Sequence, residues 1–205
     1  MFGEEFWEER YRSHEAVWSR NANPQLVTEA SDLVPGTALD VGSGEGTDSL
    51  WLATRGWQVT AVDFSTTALQ RGAAHAEAIG PEVAERIRWV RADLANWAPA
   101  ESFDLVSAQF MHLPPVPRQE LFTRLASMVA PGGTLLIVGH HPSDLQTAAH
   151  RPPAPDLFYT AEEPAASLEP GGWDVLVSEA RPRTAISEGE KIGIHDTVLR
   201  ARKHA

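Results

Sequence analysis

Between residues 37 and 63 the chain places Gly42, Gly44 and Gly46 between two short apolar runs, and the second run ends on Asp63. Glycines at that spacing allow a sharp turn and let backbone amides approach a ligand closely. A carboxylate about 20 residues further on, at the carboxyl end of a strand, can accept hydrogen bonds from ribose hydroxyls. An adenosine-bearing ligand is the chemistry this pattern suits. Other reactive side chains follow the same rule. Asp93 and Leu94 come directly after the apolar run 87–91, and Gln109, Phe110, Met111 and His112 come directly after the run 103–107. His140 and His141 follow a fifth run at 134–138. The carboxyl ends of parallel strands are where open α/β sheets bind ligands, so all of these side chains are expected on one edge.

The elements that must hold them there read as alternating strands and helices. The run 37–41 is β-type, helical periodicity begins at Thr47, and Gly56 stops it before the second strand at 58–62. Ser65 is placed to cap a helix through Ile79, which Gly80 and Pro81 end. A further amphipathic helix is expected over 117–128, and the glycines of PGG at 131–133 turn it into the fifth strand. Residues 140–155 are polar and proline-rich and read as a loop over the strand ends, followed by a short helix from Thr160 to Leu168. The region 140–170 is therefore expected on the substrate side. Strands at 173–178 and 195–202 read as a long terminal hairpin, which would put an antiparallel strand into a parallel sheet.

At the other end, Phe6, Trp7 and Tyr11 recur at roughly helical spacing within 2–12, Trp18 follows, and Asn23 and Pro24 open a second helix expected to reach Leu33. Residues 1–34 thus form a helical N-terminal lid whose aromatic faces would either pack on the domain or attract a cationic ligand.

Composition narrows the class. With 205 residues and 42% hydrophobic content, a single α/β domain over 1–205 is expected. The net charge is 17 − 28 = −11, which repels nucleic-acid backbones and anionic lipid surfaces, so neither nucleic acid nor membrane is an expected partner. There is no cysteine, hence no disulfide or thiolate chemistry, and MFGEEFWEERY lacks the regions of a signal peptide, so a cytoplasmic location is expected.

The glycine spacing discriminates between nucleotides. A dinucleotide fingerprint GxGxxG counted from Gly42 needs its third glycine where Thr47 stands; the glycines present fit GxGxG. Together LDVGSGEG (39–46), VDFS (62–65), ADL (92–94), FDLVSAQ (103–109) and MVAPGGTLLIV (128–138) resemble the class I S-adenosylmethionine-dependent methyltransferases. The resemblance implies a Rossmann-like α/β domain with helices on both faces of a seven-stranded sheet of order 3-2-1-4-5-7-6, strand seven antiparallel. It also implies S-adenosyl-L-methionine as cofactor and S-adenosyl-L-homocysteine as product. Asp40, Gly42, Ser43 and Gly44 would surround the methionine end, Asp63 would hold the ribose, and Phe64, with Ser65 beside it, would pack on adenine. Asp93 and Leu94 would meet the adenine edge and Gln109 would lie near the end of strand four.

More narrowly, FWEERY, VWSRNANPQL, FMHLP and DTVLRARK are similar to the small thiopurine and tellurite-resistance type of methyltransferase, whose members methylate small molecules, often at sulfur or a heavier chalcogen. On this resemblance Trp18 covers the cofactor, Trp7, Tyr11, Phe110, His141 and Tyr159 contribute to the acceptor side, and His112 is the candidate base or acceptor contact. In-line displacement at a sulfonium needs orientation and exclusion of water more than it needs a base, and a thiol forms part of its thiolate unaided. Arg181 and Arg183 either bind an anionic acceptor or are solvated surface cations. No metal is expected, because residues 109–112 supply no carboxylate for magnesium and the histidines lack ligand spacing. O- or N-methylation of a small molecule is the main alternative; an NAD-binding protein and a cofactor-binding protein without turnover are the others.

Overall fold

The computed structural model describes residues 3–18, 20–94, 97, 99–147, 154–187 and 189–205. Two helices, α1 (Glu4–Ser13) and α2 (Pro24–Ala30), precede β1 (Thr37–Val41), α3 (Thr47–Thr54), β2 (Gln58–Asp63), α4 (Thr66–Ile79), α5 (Pro81–Ala84) and β3 (Ile87–Arg91). Then come β4 (Phe103–Gln109), α6 (Pro115–Ser127), β5 (Val129–His140), two short 3₁₀ turns, α7 (Glu162–Ala165), β6 (Trp173–Ser187) and β7 (Glu190–Lys203). The sheet order is β3-β2-β1-β4-β5-β7-β6, with β7 antiparallel to both neighbours. This is the expected topology.

Local chemistry explains the helix starts. Asn23 Oδ1 accepts from the Gln25 amide at 2.9 Å, and Pro24 occupies the first turn of α2, where its missing N–H costs nothing. Ser65 Oγ accepts from the Ala68 amide at 3.1 Å and starts α4. Some boundaries differ from expectation. Helix α6 begins at Pro115, because prolines are tolerated throughout a first turn, and α2 stops at Ala30. Gly80, at φ 152°, ends α4 but also opens the extra turn α5. Strand β5 starts at Val129, and its register against β4 shifts across the PGG segment, where Gly132 has φ 78°. Helix α7 is shorter than the expected Thr160–Leu168, and the terminal strands are longer than the expected 173–178 and 195–202.

Side chains alternate across the central strands into two cores. Leu39, Val41, Val106, Leu135 and Ile137 pack with Leu121, Phe122 and Leu125 of α6 on one face. Ala38, Val59, Leu105, Leu136 and Val138 pack with Leu26, Leu52, Ala53 and Ala76 from α2, α3 and α4 on the other. Each fully buried leucine contributes about 1.5–3 kcal/mol.

The terminal hairpin extends past the rest of the sheet. Strand β5 pairs with β7 only as far as His140 opposite Asp196, whereas β6 and β7 stay paired through Arg183 opposite Ile194 to Ser187 opposite Glu190. The hairpin therefore overhangs the carboxyl end of β5, on the edge that carries Asp63 and Gln109.

Candidate active site

The glycine loop is fixed by its own backbone. Gly42, Gly44 and Gly46 adopt φ of 68°, 53° and 78°, a region that other residues enter at a cost. The amides of Gly42 and Ser43 donate to the Val62 carbonyl at 2.8 and 3.0 Å, tying the loop to the end of β2. Asp63 closes the same joint: its Oδ2 accepts from the Gly44 amide at 2.9 Å and its Oδ1 from the Ser65 amide at 2.8 Å. Gly46 has a separate reason to be glycine, since a Cβ there would lie 2.3 Å from the ring of Trp89.

Beneath the loop, buried Asp40 accepts from Ser49 Oγ at 2.6 Å. Burial pushes its carboxyl up to about 7, with the neighbouring Asp48 charge adding to the effect. Asp48 is itself raised to about 6 by burial, and it accepts from the Asn23 amide at 2.7 Å. Burial also raises Asp63.

The N-terminal segment folds over this loop and is fastened by carboxylates. Glu8 accepts from Ser65 Oγ and Thr67 Oγ1, both at 2.6 Å, and Glu4 pairs with Arg91 at 2.6 Å. Glu45, standing between two of the loop glycines, accepts from the Val17 amide at 3.1 Å and from Arg71 Nη1 at 2.9 Å. Trp18 Nε1 donates to Tyr11 Oη at 2.9 Å, and a Cβ on Gly44 would meet that hydroxyl at 2.8 Å.

Between lid and sheet edge lies a cavity of about 1010 Å³. Phe6, Trp7, Arg10, Tyr11 and Trp18 line it from the lid, and Gly42, Ser43, Gly44, Asp63, Phe64 and Leu94 line it from the loop and the ends of β1–β3. Gln109, Phe110, Met111, His112, His140 and Arg183 line its remaining side. Phe110 has φ 52°, unusual for an aromatic residue, and this turns the chain after β4 along the cavity wall. Its ring lies 4.6 Å from that of His140; His112 lies 5.5 Å from His140 and 5.7 Å from Trp7. Arg10 stacks 5.7 Å from Trp7 and 5.9 Å from Trp18.

Several expected site residues lie elsewhere. Asp40 sits under the loop rather than on the cavity wall. Ser65 is a helix cap and lid anchor, fully buried. Asp93 does not line the cavity, although Leu94 beside it does. His141 bonds through Nδ1 to Ser143 Oγ at 2.9 Å and faces His195. Tyr159 is a core residue: it fills the slot left by the missing Cβ of Gly139, lies 5.4 Å from Phe122, and has the Arg118 guanidinium 4.7 Å over its ring. The substrate-side role expected for 140–170 reduces to His140, the sole cavity-lining residue among those described there; residues 148–153 fall outside the described ones.

Other participants carried little signal in the sequence. Glu8, Glu45 and Asp48 look like ordinary surface acids until the lid is placed on them. A carboxylate between two loop glycines was the available hint for Glu45.

The cavity suits the expected cofactor. Residues Ser43 and Gln109 line it, and among the described residues their buried Oγ and Oε1 find no hydrogen-bond partner, a need that a bound polar ligand would meet. Its volume lies at the upper end for ligand pockets, enough for a cofactor and a small second molecule.

Comparison with known proteins agrees with this reading. Residues 38–133 match a family model described as a methyltransferase domain. Glycine N-methyltransferase of Oryctolagus cuniculus is 30% identical over 139 residues, 60% of this chain and 47% of that protein. The Arabidopsis thaliana protein named "Probable thiol methyltransferase 2" is 27% identical over 135 residues, 63% of this chain and 59% of that protein. The chain thus spans about half the length of the curated relatives it matches. The structure of N-methyltransferase NodS from Bradyrhizobium japonicum WM9 with S-adenosyl-L-homocysteine superposes with a TM-score of 0.70 at 19% identity, covering 96% of each chain. Residues 38–133 thus match a methyltransferase domain, and the sheet order and glycine loop agree with that match.

Proposed function

We propose that this protein transfers the methyl group of S-adenosylmethionine to a small-molecule acceptor, and that the accepting atom is a thiol or other chalcogen nucleophile. The observation that carries this reading is a shared cavity, in which a glycine loop with Asp63 faces a wall of aromatic and imidazole rings. The bound cofactor would supply an electrophilic methyl group on a sulfonium.

The chain's own residues do the rest. Ser43, Gln109 and Asp63 hold polar groups of the cofactor, while Trp7, Tyr11 and Trp18 cover it and keep water out. Their ring faces also suit a sulfonium, at about 0.5–2 kcal/mol per contact. His112 lies between Trp7 and His140 and is placed to orient the acceptor or take its proton. Tyr11 is a poor base here, since its ionisation is pushed well above the ordinary range by burial.

Support for sulfur over nitrogen comes from the wall and from one relative. The cavity-lining carboxylates Glu45, Asp48 and Asp63 belong to the loop, the first turn of α3 and the end of β2, while the side formed by residues 109–113, His140 and Arg183 contributes rings, a thioether and one guanidinium. A soft nucleophile that deprotonates readily fits such a wall, and the thiol methyltransferase of Arabidopsis thaliana is a namesake for it. N-methylation is the second reading, favoured by the match to glycine N-methyltransferase. The net charge of −11 opposes nucleic-acid substrates, and no helix among the described residues is long and apolar enough to cross a membrane.

The test is calorimetric titration with S-adenosylmethionine and S-adenosylhomocysteine, then S-adenosylhomocysteine release with thiol, selenite, tellurite, phenol and amine acceptors. Turnover on thiols or chalcogen oxyanions is expected. Turnover restricted to phenols or amines would move the function to O- or N-methylation, and failure to bind either cofactor would refute the proposal.

A further inference from the structure

Two arginines of the overhanging hairpin, Arg181 and Arg183, differ in how the structure uses them. Arg181 is consumed by the fold: it pairs with Glu29 and with Glu179 at 2.8 Å, and its Nη1 donates to Gln25 Oε1 at 3.1 Å. Two carboxylates balance one guanidinium, and Arg181 does not reach the cavity. Arg183, one strand period further along β6, does line the cavity. Its Nε donates to Asp196 Oδ2 at 2.6 Å, and Asp196 is fully buried and also accepts from Gln25 Nε2 at 3.0 Å. That bond takes one of the five donors a guanidinium carries.

Register explains the placement. Asp196 stands opposite His140 of β5 and opposite Arg181 of β6, so Arg183 lies just beyond the end of β5, next to the aromatic wall. Asp63, at the end of β2, is separated from it by β1, β4, β5 and β7. At about 4.8 Å per strand this is roughly 24 Å across the sheet. Of the charges lining the cavity, Glu45 and Asp63 stand at the loop end and Arg183 at the far side, while Asp48 lies in the first turn of α3 against Asn23 and Arg10 joins from the lid.

We infer that the acceptor carries a carboxylate, and that Arg183, seated on Asp196, is the residue that binds it and sets acceptor specificity. The inference rests on the proposed methyl transfer and extends it by naming the charge class of the acceptor. An arginine held on a buried carboxylate presents its planar fork in a fixed orientation, which suits bidentate capture of a carboxylate. The chain's overall charge of −11 repels anions, so an anionic acceptor needs a local cation of this kind. His112 and His140 would then lie beside the body of the acceptor, between its carboxylate and the cofactor.

The experiment compares 3-mercaptopropionate, 2-mercaptoethanol and cysteamine, three small thiols of different charge, as acceptors for the wild type, Arg183→Gln, Arg183→Lys and Arg181→Gln. The same proteins loaded with S-adenosylhomocysteine are titrated calorimetrically with benzoate, benzyl alcohol and benzylamine, which needs no turnover. Wild type is expected to prefer the carboxylates in both series by tenfold or more. Arg183→Gln should raise KM for 3-mercaptopropionate by tenfold or more and so erase the preference; Arg183→Lys, which keeps a cation on Asp196 if the glutamine variant folds poorly, should retain a part of it. Arg181→Gln should leave it intact. Equal or better binding of the neutral and cationic probes, or a preference that survives in Arg183→Gln, overturns the inference. So does a failure of every probe to bind to protein that has taken up S-adenosylhomocysteine. Failure to take up S-adenosylhomocysteine at all is the separate result that removes the underlying methyltransferase reading.

Discussion

The two ends of the cavity are built on different principles. At the β1–β2 end, backbone amides do the positioning: Gly42, Ser43, Gly44 and Ser65 bond to Val62 or Asp63, all within one strand–loop–strand unit. At the β5–β7–β6 end the wall is made of side chains from separate parts of the chain, with Phe110 and His112 after β4, His140 at the end of β5 and Arg183 on the hairpin. Main-chain geometry tolerates change in most side chains but not in its glycines. A wall of side chains can be altered one residue at a time, so the proposed function assigns cofactor recognition to the first end and acceptor choice to the second.

Substitutions at each end test that division. The largest effect is expected from Gly46→Ala. The residue holds φ 78°, and a Cβ would lie 2.3 Å from Trp89, so the variant should lose about 3 kcal/mol of stability by denaturant unfolding. A loss below about 1 kcal/mol would mean that the loop is more adaptable than its contacts imply. Next, Asp63→Ala should weaken binding of S-adenosylhomocysteine by about 1–3 kcal/mol, because charge-assisted bonds to the ligand and to Gly44 are both lost. Unchanged affinity in calorimetry would remove Asp63 from cofactor binding.

At the opposite end, His112→Ala should leave that affinity unaltered and slow methyl transfer by about tenfold, near 1.4 kcal/mol, since a thiol acceptor needs only modest assistance. An equal loss of cofactor binding would show the two ends to be coupled. The smallest effect concerns pH. The carboxyls of Asp40 and Asp48 rise from 3.8 to about 7 and about 6 on folding, so between about pH 4 and 7 the folded chain holds protons that the unfolded chain has released. Stability should therefore fall as pH rises through that window, by at least about 1 kcal/mol in chemical denaturation between pH 5.5 and 7.5. In Asp40→Asn the slope should flatten, and a wild-type stability that increases over this range would contradict the burial of these carboxylates.

The β1–β2 end was legible in the sequence because its information is local. Gly42 to Asp63 is a short stretch in which the strand period, the glycines and the strand-terminal acid report one another; the apolar runs gave the strands and the terminal hairpin, and the family resemblance gave their order in the sheet. Ser43, Gly44, Asp63, Phe64, Leu94 and Gln109, which the family resemblance singled out, line the cavity. Ser65 and Asp40 are neighbours of the loop, but adjacency along the chain does not say which way a side chain faces.

What the tertiary structure decided depends on contacts between distant segments. Tyr159 reads as an acceptor-side aromatic, yet the gap above Gly139 takes it into the core, and nothing in the sequence near 159 encodes a missing Cβ at 139. Glu8 reaches Ser65 and Thr67, and Glu45 reaches Val17, only because the lid folds back over α4 and the loop. Arg181 and Arg183 are two residues apart and chemically identical; the pairing of β6 with β7 beyond the end of β5, and the bond from Gln25 to Asp196 across 171 residues, make one a structural counter-ion and the other part of the cavity wall. Periodicity along the chain specifies which residues share a face, whereas the partner that meets that face is chosen by packing of the whole domain.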